Sequence, residues 1–163
     1  AGIMIDTNNF LTKTGVRTFE AAAFLRRCGA DVTRVRKMFR EHVEDYRAKG
    51  EAIRNAELFR DHFAISVCPS EGLDSPTVVG AQAANELLNI IGVKASFVLT
   101  DYRNTIYISA RSIDEINVQI VMERLGGGGH LNIAGAQLEH YSIAEARDVL
   151  KQTLQKMLDE GDI

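Results

Sequence analysis

The apolar positions of this chain change period several times, and each change marks an element. Residues 2–6 form a short apolar run that reads as a buried strand, delivering Asp6 at its C-terminal edge. Thr18 is placed to cap a helix from Phe19 to Arg27, with Gly29 just past its end. Asp31 caps a long helix in which Val32, Val35, Phe39, Val43 and Tyr46 recur at helical spacing. Ala48-Lys49-Gly50 is the weakest point of that helix and reads as a hinge between two domains, with helix resuming toward Leu58. Phe63 to Val67 is a short strand that stops before Pro69. Ser75 followed by Pro76 opens a helix with small residues at Gly80, Ala81, Ala83 and Ala84, suited to close packing on a sheet.

Two β-rich runs follow, Ala95 to Thr100 and Thr105 to Ser109, joined by Asp101-Tyr102-Arg103-Asn104 as a hairpin. A buried helix carries Ile116, Ile120, Val121 and Leu125 inward and ends at Gly126. Ile133 to Leu138 is a further strand, and Ser142 caps a final amphipathic helix to the region of Leu158. The later part of the chain therefore reads β-α-β-β-α-β-α, an α/β domain with a central mixed sheet flanked by helices.

The candidate chemistry centres on Gly126-Gly127-Gly128-Gly129-His130, with Arg111-Ser112 a short way upstream. Four consecutive glycines forgo side-chain packing, and a helix cap with a tight turn needs one or two of them. The run is no Walker loop, since no Lys-Ser/Thr follows, and no dinucleotide fingerprint, since it follows a helix rather than a strand. A helix C-terminus repels phosphate, so anion binding here calls for outward-turned N–H groups and cationic help from Arg111 and His130. Taken singly, Arg111 reads as a salt-bridge partner of Asp114 or Glu115, and His130 as a capping or core histidine. Taken together with the glycines they read as a phosphate or nucleotide pocket. Asp6 has two readings of equal standing, a functional carboxylate and a turn or capping residue. Asn117 and Gln119 either brace the glycine loop or reach a base edge.

Composition narrows the classes without selecting one. A net charge of -3 is wrong for a general nucleic-acid coat, although six of the residues from Arg26 to Arg40 are basic and only Asp31 is acidic. Cys28 and Cys68 lack metal or redox spacing and read as reduced thiols. No apolar run is long enough for a membrane span, so the chain is expected to be cytoplasmic and to make no membrane contact. It lacks an initiating Met, and a longer parent is expected.

With these residues in hand, a family resemblance emerges. Ala1 to Thr7 resembles the last motif of the DHH phosphoesterase domain. Ile108-Ser109-Ala110-Arg111-Ser112, Ile116-Asn117-Val118-Gln119 and the Gly126–His130 motif resemble the associated DHHA1 domain. The run from Ser109 through Gln137 is similar to membrane-bound cyclic-di-AMP phosphodiesterases of the GdpP/YybT type.

The resemblance implies a division into the end of a DHH domain (residues 1–30), a connecting helix or linker (31–60) and a DHHA1 substrate-binding domain (61–163). It implies a hydrolase with two metal ions, usually Mn2+, opening cyclic-di-AMP to linear pApA. Asp6 would be a metal ligand. Arg111, Ser112, Asn117, Gly126, Gly127, Gly128, Gly129 and His130 would hold the nucleotide. The upstream DHH half of the same chain is an implied partner, a homodimer is a family expectation, and membrane helices would lie further upstream. The Asp-His-His motif is absent from these 163 residues, so the chain alone is expected to be inactive. The alternatives are an oligoribonuclease, exonuclease or pAp-phosphatase-like enzyme of the same superfamily, and a non-catalytic nucleotide sensor. A chain with 7% aromatic residues and no Trp offers little of the stacking surface that single strands require.

Overall fold

A computed structural model describes residues 1–11, 13–113 and 115–163. The chain divides into two compact units, Ala1–Glu41 and His42–Ile163.

The first unit is helical: α1 (Gly2–Asp6), α2 (Val16–Arg27) and α3 (Val32–Lys37). The strand expected at residues 2–6 is a helix instead. An apolar run this short carries no decisive period, and a strand needs a neighbour for its N–H and C=O groups, whereas a helical turn satisfies them internally. Thr7 closes that turn, its Oγ1 donating to the Ile3 carbonyl at 2.6 Å and accepting from the Phe10 N–H at 3.0 Å. The second helix starts earlier than expected. Gly15 is its N-cap, and Thr18 accepts from the Gly15 N–H at 3.4 Å from inside the first turn. Gly29, at φ +95°, follows its end as expected. Asp31 caps α3 by accepting from the N–H groups of Thr33 (2.9 Å) and Arg34 (3.3 Å). The long helix expected from Asp31 breaks after Lys37.

The second unit opens with α4 (Val43–Arg54), which runs unbroken through the expected hinge at Ala48-Lys49-Gly50. Ala48 and Ala52 are buried there, so packing holds the helix together across the glycine. There follow β1 (Glu57–Phe59), β2 (Phe63–Val67), α5 (Pro76–Leu87), β3 (Ala95–Tyr102), β4 (Thr105–Ser112), α6 (Val118–Arg124), β5 (Gly128–His130), β6 (Ile133–Glu139) and α7 (Ile143–Glu160). They form one six-stranded mixed sheet in the order β1-β2-β3-β4-β6-β5. Only β2 and β3 are parallel, and α5 is the crossover that parallel neighbours require. The expected hairpin is tight: Arg103 and Asn104 turn it with φ of 53° and 60°, the left-handed pair of a two-residue loop.

Strand alternation divides the core in two. Phe63, Ile65, Phe97, Leu99, Ile106, Ile108 and Ala136 pack with Val121, Met122, Leu150, Leu154 and Met157 of α6 and α7. On the opposite face Ala64 and Val98 pack with Ala52, Val79, Ala83, Ala84 and Leu87 of α4 and α5. Ser96 Oγ donates to the Ala84 carbonyl at 2.6 Å, drawing α5 onto β3. Cys68 is buried beside this second core, and burial, with Glu51 adding to it, pushes its thiol pKa up to about 11. It is an inert core thiol, whereas Cys28 is exposed.

The last helix has a capping box. Ser142 Oγ accepts from the Glu145 N–H at 3.3 Å, while the Glu145 carboxylate accepts from the Ser142 N–H at 2.8 Å. The Ser142 N–H, and the Ser142 Oγ donating to the same carboxylate at 2.7 Å, hold the Glu145 carboxyl below its ordinary pKa. Their stabilisation is therefore present above the unfolded carboxylate pKa and fades as pH falls through the folded one. Ser142→Ala is expected to cost about 1 kcal/mol in urea unfolding, with an unchanged m-value.

Candidate functional site

The glycine run is half turn and half strand. Gly128 to His130 form β5, an edge strand paired antiparallel with β6. Gly126 (φ +78°) closes α6: its N–H donates to the Glu123 carbonyl, and the Gly127 N–H donates to the Met122 carbonyl at 2.8 Å. Those bonds satisfy carbonyls that would otherwise face an incoming anion. Gly127 and Gly129 are glycine because β6 lies against them. A Cβ on Gly127 would sit 2.6 Å from Ala136 Cα, and one on Gly129 2.5 Å from Ala134 Cα. A Cβ on Gly128 would meet nothing within 4 Å.

That open space is a cleft of about 500 Å³. Its floor comes from alternate residues of the outer strands on the α5 face of the sheet. On β4 these are Tyr107 and Ser109, with Arg111 next along the same face just beyond the lining, since Ile106, Ile108, Ala110 and Ser112 turn the other way. Register sets them in three cross-strand rows. Tyr107 stands opposite Gln137, Ser109 opposite Gly135 and then Gly128, and Arg111 opposite Ile133 and then His130. The middle row carries no side chain larger than a hydroxymethyl group. Thr77, in the first turn of α5, lines the wall.

Arg111 lies in the row next to the cleft lining. Its Nε donates to Asn85 Oδ1 at 3.0 Å and its Nη1 to the Ala110 carbonyl at 2.8 Å, which fixes the guanidinium plane. Glu115 pairs with Lys94 at 2.6 Å rather than with Arg111. Asp114, the other expected partner, lies outside the described residues. Among the described residues Arg111 has no carboxylate partner, and burial holds its pKa below the ordinary value. A desolvated cation held by neutral acceptors is set up to receive an anion.

The remaining candidates separate. His130 is exposed at the end of β5, in the same row as Arg111. Ser112 is buried on the opposite face, its Oγ 3.4 Å from the Leu131 carbonyl. Asn117 is the N-cap of α6, accepting from the Gln119 N–H at 3.0 Å, and Gln119 Nε2 donates to Glu123 at 2.8 Å. Both of these amides are engaged in and around α6. Asp6 is exposed at the end of α1. Among the described residues no group of three or more His, Cys, Asp or Glu side chains could hold a metal ion, so the side chains described do not make a metal centre. Nor is any described helix long and apolar enough to cross a membrane.

Sequence reasoning missed Thr77, Tyr107, Ser109, Gly135, Gln137 and Asn85. The first five line the cleft, and period-2 alternation back from Arg111 points to Tyr107 and Ser109. No sequence signal brings Asn85 to Arg111, 26 residues away.

The DHHA1 domain matches residues 62–156, and the chain belongs to that family. It is 43% identical over 151 residues to the cyclic-di-AMP phosphodiesterase PdeA of Listeria monocytogenes, covering 92% of this chain and 23% of that protein. To the cyclic-di-AMP phosphodiesterase GdpP of Bacillus subtilis it is 42% identical over 163 residues, covering 99% of this chain and 25% of that protein. The chain thus spans about a quarter of the length of these relatives. Its fold is shared with the crystal structure of an exopolyphosphatase-related protein from Bacteroides fragilis, at a TM-score of 0.84 and 23% identity over 95% of this chain and 48% of that one.

Proposed function

We propose that this chain is the substrate-holding part of a phosphodiesterase that opens cyclic-di-AMP to linear pApA. The observation that carries the reading is the desolvated Arg111 guanidinium, unpaired by any described carboxylate and in one row with His130, beside a cleft floored by glycine. Two relatives that match almost the whole chain and carry the name cyclic-di-AMP phosphodiesterase support the choice of ligand.

Arg111 and His130, in one cross-strand row, give one end of the cleft a cationic character suited to a phosphate of a cyclic or linear dinucleotide. The glycine floor lets backbone and sugar lie close to the sheet. Ser112 and Asn117 act from behind in this reading. Ser112 ties β4 to the turn that follows β5, and Asn117 fixes the start of the helix that feeds the glycine strand.

Hydrolysis is assigned to the longer protein. Asp6 alone cannot hold two divalent ions, and the remaining ligands would come from an upstream DHH half, beyond which a membrane anchor would lie. The 163-residue chain is therefore expected to bind cyclic-di-AMP and pApA in calorimetric titration. His130→Ala should weaken pApA about tenfold, in line with loss of one hydrogen bond to a charged group. Chromatography should detect no pApA formed from cyclic-di-AMP in the presence of Mn2+. Turnover by this chain, or undiminished binding in the His130 variant, would contradict the assignment.

A further inference from the structure

We infer that Tyr107 and Gln137 form the base-reading end of the cleft, with a purine stacked on Tyr107 and the Gln137 amide selecting adenine over guanine. The inference rests on the nucleotide reading above and deepens it to base choice. Tyr107 and Gln137 are direct cross-strand partners on β4 and β6, and both line the cleft. Two residues along the strands lies the bare row of Ser109, Gly135 and Gly128, and two further lies the row of Arg111 and His130. At about 3.4 Å per residue, the outer rows stand roughly 14 Å apart. A span of that length accommodates a phosphate toward the Arg111 row and one base toward the Gln137 row, as one half of a dinucleotide requires.

The chemistry of the two ends differs. Arg111 and His130 suit phosphate, whereas Tyr107 and Gln137 are neutral, one offering a π face and the other a donor–acceptor pair. The Tyr107 ring is braced by Tyr102, with centroids 6.5 Å apart at 51°, and the Arg103 guanidinium lies 5.0 Å from the Tyr102 centroid. A ring braced from one side keeps its place when a base stacks on it. The Gln137 side chain is exposed on its edge of the cleft and makes no hydrogen bond among the described residues. Its Oε1 can accept from adenine N6–H while its Nε2 donates to N7. Guanine presents two acceptors, O6 and N7, so the same amide forms one bond and sets its oxygen against another oxygen.

The test is calorimetric titration of the whole chain with pApA and pGpG. The wild type is expected to prefer pApA by about tenfold. Gln137→Ala should bring that ratio close to one by weakening pApA. Gln137→Arg, which offers two donors to O6 and N7, should turn the preference toward pGpG. Tyr107→Ala should weaken both dinucleotides alike, and Tyr107→Phe, which keeps the ring, should restore both. If both bind and both are lost in Arg111→Ala, yet the ratio is the same in the two Gln137 variants, base reading at Gln137 is wrong while the nucleotide site stands. If neither binds the wild type at millimolar concentration, the nucleotide site itself is refuted, and base reading with it.

Discussion

Arg111→Ala is expected to weaken pApA binding roughly 10- to 100-fold, the range for a hydrogen-bonded charged group, without lowering the unfolding midpoint of the chain. The two halves of this result have separate causes. Binding falls because the guanidinium is oriented before any ligand arrives. Asn85 and the Ala110 carbonyl take Nε and Nη1, leaving Nη2 and the outer edge for an anion. Stability is expected to hold because that half-buried cation faces no carboxylate among the described residues, and its partial burial, which lowers its pKa, offsets what its two hydrogen bonds to neutral acceptors contribute. Asn85 is exposed and can return its amide to water.

Arg111→Lys should fail almost as badly as alanine, since an ammonium cannot bond Asn85 and the strand carbonyl while still presenting a fork. Calorimetry with pApA, paired with thermal unfolding, checks both halves. A variant that unfolds earlier and binds as well as wild type would make Arg111 a structural residue and remove the central support for the nucleotide reading.

The sequence motif groups Arg111, His130 and the glycines, which the fold does bring into neighbouring rows, but it misjudges the shape of that region. Arg111, His130 and the glycines belong to one region because they sit in adjacent rows of three strands, and the motif spacing reports that adjacency. The form of the glycine segment was not legible. Glycine runs read as loops because they lack β-propensity, yet here an adjacent strand demands glycine by lying too close for a Cβ. Ser112 illustrates a second limit. It follows Arg111 directly, but period-2 alternation sends the two side chains to opposite faces of the sheet. In the first unit, residues 2–6 were misread because five apolar residues fit a strand or a helix equally well, and only pairing decides. Asn85 shows where sequence reasoning stops altogether, since its contact with Arg111 depends on how α5 lies across β3 and β4.

The four glycines should separate under mutation into those the fold needs and one the ligand needs. Gly127→Ala is expected to cost about 3 kcal/mol, because its Cβ would lie 2.6 Å from Ala136 Cα and closer still to the Gly135 carbonyl oxygen, so backbone must move. Gly129→Ala meets the same obstacle in Ala134 and adds a φ of +150° that an L-residue avoids. Gly128→Val is different. No atom lies within 4 Å of the new Cβ, and a β-branched residue suits a strand, so stability should change by no more than about 0.5 kcal/mol. Its isopropyl group would instead rise from the floor of the cleft opposite Gly135, where the sugar and backbone of a nucleotide would lie. Binding of pApA should then be lost from a chain that unfolds like wild type in urea. Equal destabilisation of all three variants, with binding kept by Gly128→Val, would reduce the whole run to packing against β6. The opposite pattern separates a glycine kept for β6 from a glycine kept for the ligand, within two consecutive positions of one strand.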